Sequence, residues 1–403
     1  MSVLLIGTLD TKGAEIQFVR DYLAGKALVM DAGVMGEPTI APDIQRERVF
    51  AAAGTSLAAV RQAGDRGRAV EAAARGAAAI ARELHNQGQV HGVLGLGGSA
   101  GTTIATAAMR ALPFGVPKLM VSTLASGQVR QYVGVRDICM MHSVVDISGL
   151  NRISRVVLRN AALAIGAMSR GVLTDTVRLQ DKPLITATMF GVTTPCVEAA
   201  RKVLEQQDYE VLVFHATGTG GQTMESFIGD GLIRGVLDIT TTELADELVG
   251  GELTAGPDRL TAAALRGVPQ VISLGALDMV NFGPRATVPA RFEGRRFYQH
   301  NPNVTLMRTT QEENDRLGKE IAQKASAARG PTAVVVPLRG VSAIDRAGQP
   351  FWWPEADLAL FQSLRNWISP QVRLVELDLH INDPAFAEAA SRLLLEMMGH
   401  NKG

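Results

Sequence analysis

The chain has 403 residues, 46% of them hydrophobic and 20% charged, more than one ordinary core takes up, so two domains are expected. Forty basic and forty acidic side chains cancel at pH 7, which leaves no electrostatic footprint for nucleic acid. Cys139 and Cys196 stand in no metal-type spacing, and MSVLLIGTLDTKG has no basic segment and too short an apolar run for a membrane, so a cytoplasmic protein with reduced thiols is expected.

Taken in chain order, short Val-, Ile- and Leu-rich runs end in small or polar residues and give way to helical periodicity, the pattern of βα units around a buried parallel sheet. VLLIGT (3–8) reads as a strand, followed by a helix with Ile16, Val19 and Leu23 on one face. KALVMDAG is the next strand, 69–87 an alanine-rich helix, GVLGLG (92–97) a strand, TTIATAAMRAL a helix and KLMVST (118–123) a strand. DICMMHSVVD closes this half, and a long helix over 151–171 leaves it. Near Lys182 the pattern restarts with LITATM, a Gly-Thr-Thr turn, a helix and the strand VLVF; GVLDIT (235–240) echoes GVLGLG and RGVPQVISLGA echoes FGVPKLMVSTLA. The expected fold is α/β, two Rossmann-like domains over 1–180 and 181–403, by duplication of one unit or as two domains of one class. The segment NFGPRATVP, with Arg285, reads as a long loop. From Pro331 a strand TAVVVPL, an irregular loop, a helix over 358–367, the strand VRLVELDL and a last helix follow.

The densest signal is VLGLGGSAGTT (93–103). A strand feeding a glycine-rich turn into a helix places backbone N–H groups and the positive end of the helix dipole at the sheet edge, which suits an anion. The alternative is a tight turn with close helix packing and no ligand. Three other strand ends are small and polar: TLDTKG, DAGVMG and STLASG. Ligands of doubly wound sheets sit outside such carboxyl ends. Lys12 could pair with a phosphate and Asp10 could hold Mg²⁺, or Asp10 could cap a helix and Lys12 be solvated.

VLLIGTLDTKG, GVLGLGGSAGT, HATGTGGQTME and PLRGVSAIDRAGQPFWWPEAD, in this order across nearly the whole chain, resemble the Tm-1-like ATP-binding family, bacterial and fungal proteins related to the amino-terminal part of a tomato mosaic virus resistance protein. The resemblance implies two Rossmann-like domains, an Mg-ATP site in the first and at least a homodimer. It puts ATP and magnesium on the matching stretches: Thr8, Asp10 and Lys12, then Gly97, Gly98, Ser99, Gly101 and Thr102. Geometry adds Ser122 at the next strand end.

HATGTGGQTMESF (215–227) is a second glycine loop that could take another anion. His215 could act as acid or base, with Glu225 and with Arg339 clamping a small anionic substrate in a cleft between the domains; structural roles are the alternative for each. PFWWPEAD reads as a packed aromatic cluster, with adenine stacking the alternative. His380 with Asp378 lacks a third ligand for a metal.

Overall fold

Alternate residues of β1 (Val3–Gly7) serve two cores: Val3 and Leu5 join one buried cluster, Leu4 and Ile6 the other. Only a sheet covered on both faces asks for that, and parallel crossovers provide the cover. The computed structural model describes residues 2–23, 27–174 and 182–399. The chain divides into two units, Met1–Leu179 and Gln180–Gly403.

In the first unit, β1 leads through α1 (Leu9–Tyr22) to β2 (Ala27–Asp31). Three helices follow: α2 (Arg46–Ala52), α3 (Leu57–Ala63) and α4 (Arg66–Asn86). Then come β3 (Gly92–Gly97), α5 (Ser99–Arg110), β4 (Lys118–Ser122), α6 (Arg130–Val133), β5 (Cys139–His142) and α7 (Arg152–Thr174). The sheet is parallel in the order β2-β1-β3-β4-β5. The order of strand addition therefore reverses at β1, and the crevice between the carboxyl ends of β1 and β3 is the switch point where doubly wound sheets bind ligands. α4 begins where Asp65 accepts a hydrogen bond from Arg68 N (3.0 Å), and its buried Ala72, Ala73, Ala77, Ile80 and Leu84 form a stripe in the core that also takes in Leu4, Ile6 and Met30 of the sheet.

The second unit runs β6 (Leu184–Met189), α8 (Thr194–Glu205), β7 (Glu210–His215), α9 (Thr219–Gly229), β8 (Ile233–Thr240), α10 (Thr242–Val249), α11 (Ala262–Arg266), β9 (Gln270–Gly275), β10 (Met279–Phe282), β11 (Phe297–Asn301), β12 (Val304–Arg308), α12 (Gln311–Ser326), β13 (Thr332–Pro337), α13 (Pro354–Trp367), β14 (Arg373–Leu377) and α14 (Pro384–Met397). Its parallel sheet, β14-β13-β9-β8-β6-β7, repeats the winding of the first and adds a strand. On β13, Val334 and Val336 enter one core and Ala333 and Val335 the other. Apart from the last residues of β10, NFGPRATVP is a loop with a short 3₁₀ turn at Arg285–Thr287; an antiparallel sheet that was not expected, β10-β12-β11, flanks it, and the Arg285 guanidinium lies 4.0 Å from the Phe297 ring centre. None of the described helices is long and apolar enough to cross a membrane.

Buried carboxyls are expected to make the stability of this unit depend on pH. The Arg308 side chain, shut off from solvent, bonds Asp357 at 2.6 Å and lies 3.6 Å from Asp345; Asp278 accepts from Ser342 Oγ at 2.8 Å. Burial is the main cause that raises the carboxyls of Asp278 and Asp357, ahead of their acidic neighbours and against the pull of Arg308. Burial likewise lifts Asp246 to about 8, although it accepts from Asn281 N and Nδ2. Folded-state values above the ordinary 3.8 mean that the folded chain holds more protons, so stability is full below that value and declines as pH rises towards 8. The urea midpoint should fall between pH 5 and pH 8, and Asp357→Asn should flatten that slope; a midpoint indifferent to pH in the parent protein would contradict this.

Candidate functional site

The first unit contains a cavity of about 860 Å³ at the switch point, within the size range of small-ligand sites. Its lining takes in Thr8, Asp10, Thr11 and Lys12 after β1, and Gly98, Ser99 and Gly101 at the start of α5. Val34, Val60, Val70 and Ile104 line it too, with the charged Arg61, Asp65, Arg66 and Asp146. The lining therefore mixes backbone donors, charge and apolar side chains.

The glycines divide by role. A side chain on Gly97 would put its Cβ 2.7 Å from Gly101 Cα, and one on Gly95 would meet Ala105 Cβ at 2.3 Å. Those glycines, and Gly101 beneath Leu96 O, let α5 lie close on β3. Gly98 is different: its backbone is ordinary (φ −80°, ψ −153°) and the nearest atom to an added Cβ is Thr123 Oγ1 at 3.6 Å. Neither packing nor conformation requires a glycine there. It is the N-cap of α5, no side chain caps the first turn, and α5 is long enough for its dipole to count.

The loop after β1 closes on itself. Thr11 N and Lys12 N donate to Thr8 O (3.1 and 2.8 Å), the Thr8 and Thr11 hydroxyls share a hydrogen bond at 2.8 Å, and helical geometry breaks at Lys12 (φ −133°, ψ 21°). Lys12 Nζ donates to Ile147 O, which leaves two ammonium protons for another acceptor. Asp10 Oδ2 accepts from Met35 N and Gly36 N, both at 3.1 Å, whereas its buried Oδ1 has no hydrogen-bond partner among the described residues. Asp31, at the end of β2, accepts from Leu9 N (3.0 Å) and Gly33 N (2.8 Å), and burial raises its carboxyl above the ordinary range.

Thr8, Asp10, Lys12, Gly98, Ser99 and Gly101 thus come together on one cavity. Gly97, Thr102 and Ser122 do not reach it. Thr102 and Ser122 are fully buried and share a hydrogen bond at 2.7 Å that ties α5 to β4 below the cavity. Sequence reasoning marked DAGVMG, which supplies Val34 and Met35, but missed Arg61, Arg66, Val60 and Val70, because nothing in the spacing marks α3 or the start of α4.

The second glycine loop already holds an anion. Glu243 Oε1 accepts from Gly218 N (2.7 Å) and Gly221 N (3.0 Å), and Gly221 is a glycine because a Cβ would fall 2.2 Å from Glu243 Oε2. Glu243 also bonds Arg259, as do Asp238 and Glu225. Glu225 is therefore committed to Arg259 and to the amides of Leu260 and Ala262 (both 2.7 Å), with burial raising its carboxyl, and is no partner for His215. His215 ends β7 at one edge of the sheet, and Arg339 follows β13, four strands away, or about 19 Å at the usual strand spacing. Arg339 is exposed and paired with Asp378. These three residues do not converge on one small substrate. His380 donates from Nε2 to Ser342 O and accepts from Asn382 N at Nδ1, a structural role, and Trp353 stacks with the guanidinium of Arg296.

Fold and cavity define a doubly wound α/β protein with a cavity of small-ligand size at the switch point of its first unit. The chain belongs to the Uncharacterised protein family UPF0261, whose N-terminal and C-terminal domain models match residues 1–174 and 182–398. A UPF0261 protein of Clostridium tetani is 50% identical over 400 residues, 98% of each chain. The ToMV resistance protein Tm-1(GCR237) of Solanum lycopersicum is 46% identical over 311 residues, covering 76% of this chain and 41% of that one. A solved UDP-N-acetylglucosamine 2-epimerase from Rickettsia bellii aligns over 99% of this chain and 97% of its own at 9% identity with a TM-score of 0.22, too weak to bear on function.

Proposed function

We propose that the first unit binds ATP together with Mg²⁺, its phosphates at the start of α5 and its base against the apolar wall. The observation that carries this reading is Gly98, the one glycine of its loop that packing does not explain, at the uncapped start of a helix on the cavity wall. Resemblance to the Tm-1-like ATP-binding family supports it. Ser99 and the first-turn amides would hold phosphate oxygens, with Lys12 as a point charge beside them.

The residues present suit magnesium. No group of three or more acidic, histidine or cysteine side chains among the described residues is arranged to hold a metal, which excludes an all-protein cage there. Mg²⁺ needs only one or two carboxylates when phosphates and water complete its shell. Asp10 would hold it through Oδ1, the buried oxygen without a partner, while Oδ2 stays fixed by two amides. Bound there, the ion would neutralise phosphate charge.

Titration calorimetry with ATP, with and without Mg²⁺ and against GTP, NAD and AMP, tests the reading. Magnesium-dependent binding of ATP near one per chain is expected. Asp10→Asn retains an oxygen for the Met35 and Gly36 amides but loses the charge, so magnesium should no longer tighten binding, a loss of about tenfold or more. Unchanged magnesium dependence in that variant would remove Asp10 from the site, and no ATP binding by the parent protein would end the proposal.

A further inference from the structure

We propose that Met35 covers the base of the bound nucleotide and that Arg61 is the positioning residue that holds it there, an inference that rests on the nucleotide reading above. Met35 lies in the loop between β2 and α2 and lines the cavity. Its side chain is 85% exposed, the highest value among the exposed large hydrophobic residues described.

Exposure alone would mean little on a loose loop. This loop is fastened from four sides. Asp31 takes the amide of Gly33 at 2.8 Å, and Asp10 takes those of Met35 and Gly36 at 3.1 Å. Arg61 donates from Nε to Val34 O at 2.6 Å and from Nη2 to Met35 O at 3.4 Å, and Arg46, itself buried, donates to Gly36 O. The backbone is thus fixed while an unbranched apolar side chain stands in solvent at the cavity wall, so the backbone's share of the ordering cost of a contact there is met before any ligand arrives.

The chemistry of the walls narrows the occupant. A ligand that meets Ser99 and Lys12 as well as Val34, Val60 and Val70 has both an anionic and an apolar part, as a nucleotide has. A thioether packs favourably on an aromatic ring. Arg61, with Nε and Nη2 spent on carbonyls, serves as a brace for the loop rather than as a phosphate ligand.

The test compares ATP with inorganic tripolyphosphate, which has the anion and no base, by calorimetry on the full-length protein. Met35→Ala should weaken ATP about tenfold and leave tripolyphosphate unchanged, while Met35→Leu stays near the parent. Arg61→Ala, compared without Mg²⁺ because the same loop also fixes Asp10, should show the same split, since a slack loop loses the base contact. If Met35→Ala leaves ATP affinity intact while Gly98→Asp abolishes it, the base lies elsewhere and the nucleotide reading stands without this inference. Equal weakening of both ligands by Met35→Ala would also overturn the base contact. A parent protein that binds neither ligand overturns both readings.

Discussion

Replacing Arg259 with methionine is expected to lower the stability of the second unit by about 3–5 kcal/mol, the usual cost of removing one partner from a buried ionic group. The Arg259 side chain is wholly buried; it meets both Asp238 oxygens at 2.5 and 2.6 Å, Glu243 at 2.7 Å and Glu225 at 3.3 Å. Methionine fills part of the volume and leaves three carboxylates facing one another without a cation. The damage spreads because those carboxylates hold backbone. Glu243 anchors the start of α9 through Gly218 and Gly221, and Glu225 anchors the segment before α11 through Leu260 and Ala262. Burial already raises Glu225 and Glu243 above the ordinary 4.5, with Arg259 opposing it. Without Arg259 both rise further, so the variant should regain stability as pH falls towards 5, where folded carboxyls take up protons that unfolded ones do not yet hold. Urea unfolding at pH 7.5 and pH 5.5 reads both effects. Arg339→Ala, which breaks only the exposed pair with Asp378, is the control and should leave the midpoint in place. An Arg259→Met midpoint no lower than the control's would show that the network is not what holds these loops.

That network was invisible in the sequence, and the reason is physical. Arg259, Asp238, Glu243 and Glu225 come from four separate segments, and no spacing rule links residues that meet only after the sheet is wound. The strands were legible for the opposite reason: a parallel sheet buried on both faces needs unbroken apolar runs such as VLLIG and TAVVVP. The antiparallel β10-β12-β11 sheet was lost because its strands have four or five residues, β11 reads FYQHN, and Gly283, Pro284 and Pro289 interrupt the approach. Within the site, GGSAG marked the glycine-rich turn that lines the cavity. Which side of α5 faces the sheet did not show, so Ser99, on the cavity, and Thr102, beneath it, looked alike. The second glycine loop shows the same limit. Its pattern fits an anion, and the anion is Glu243 of the same chain.

Gly97 and Gly98, adjacent in sequence, should respond to substitution in opposite ways. Gly97→Ala places a methyl group 2.7 Å from Gly101 Cα, a backbone atom that can yield only if α5 lifts from β3. Overpacking of this kind costs about 1–3 kcal/mol, and any loss of ligand should follow the loss of fold. The Cβ of Gly98→Asp meets nothing closer than 3.6 Å and the position has no positive φ. Aspartate is moreover a preferred N-cap, better than glycine by a few tenths of a kcal/mol, so thermal stability should hold or rise slightly. The same carboxylate, at the start of α5, would occupy the donors proposed for phosphate and repel it, and ATP affinity should drop by roughly a hundredfold or more. Gly98→Ala, which adds bulk without charge, should fall between. Calorimetry paired with thermal melts separates the outcomes: a stable Gly98→Asp that binds ATP like the parent would falsify the α5 site. A destabilised one would mean that Gly98, like Gly97, is there for packing, and that the loop's glycines are all explained by how close a helix must lie to its strand.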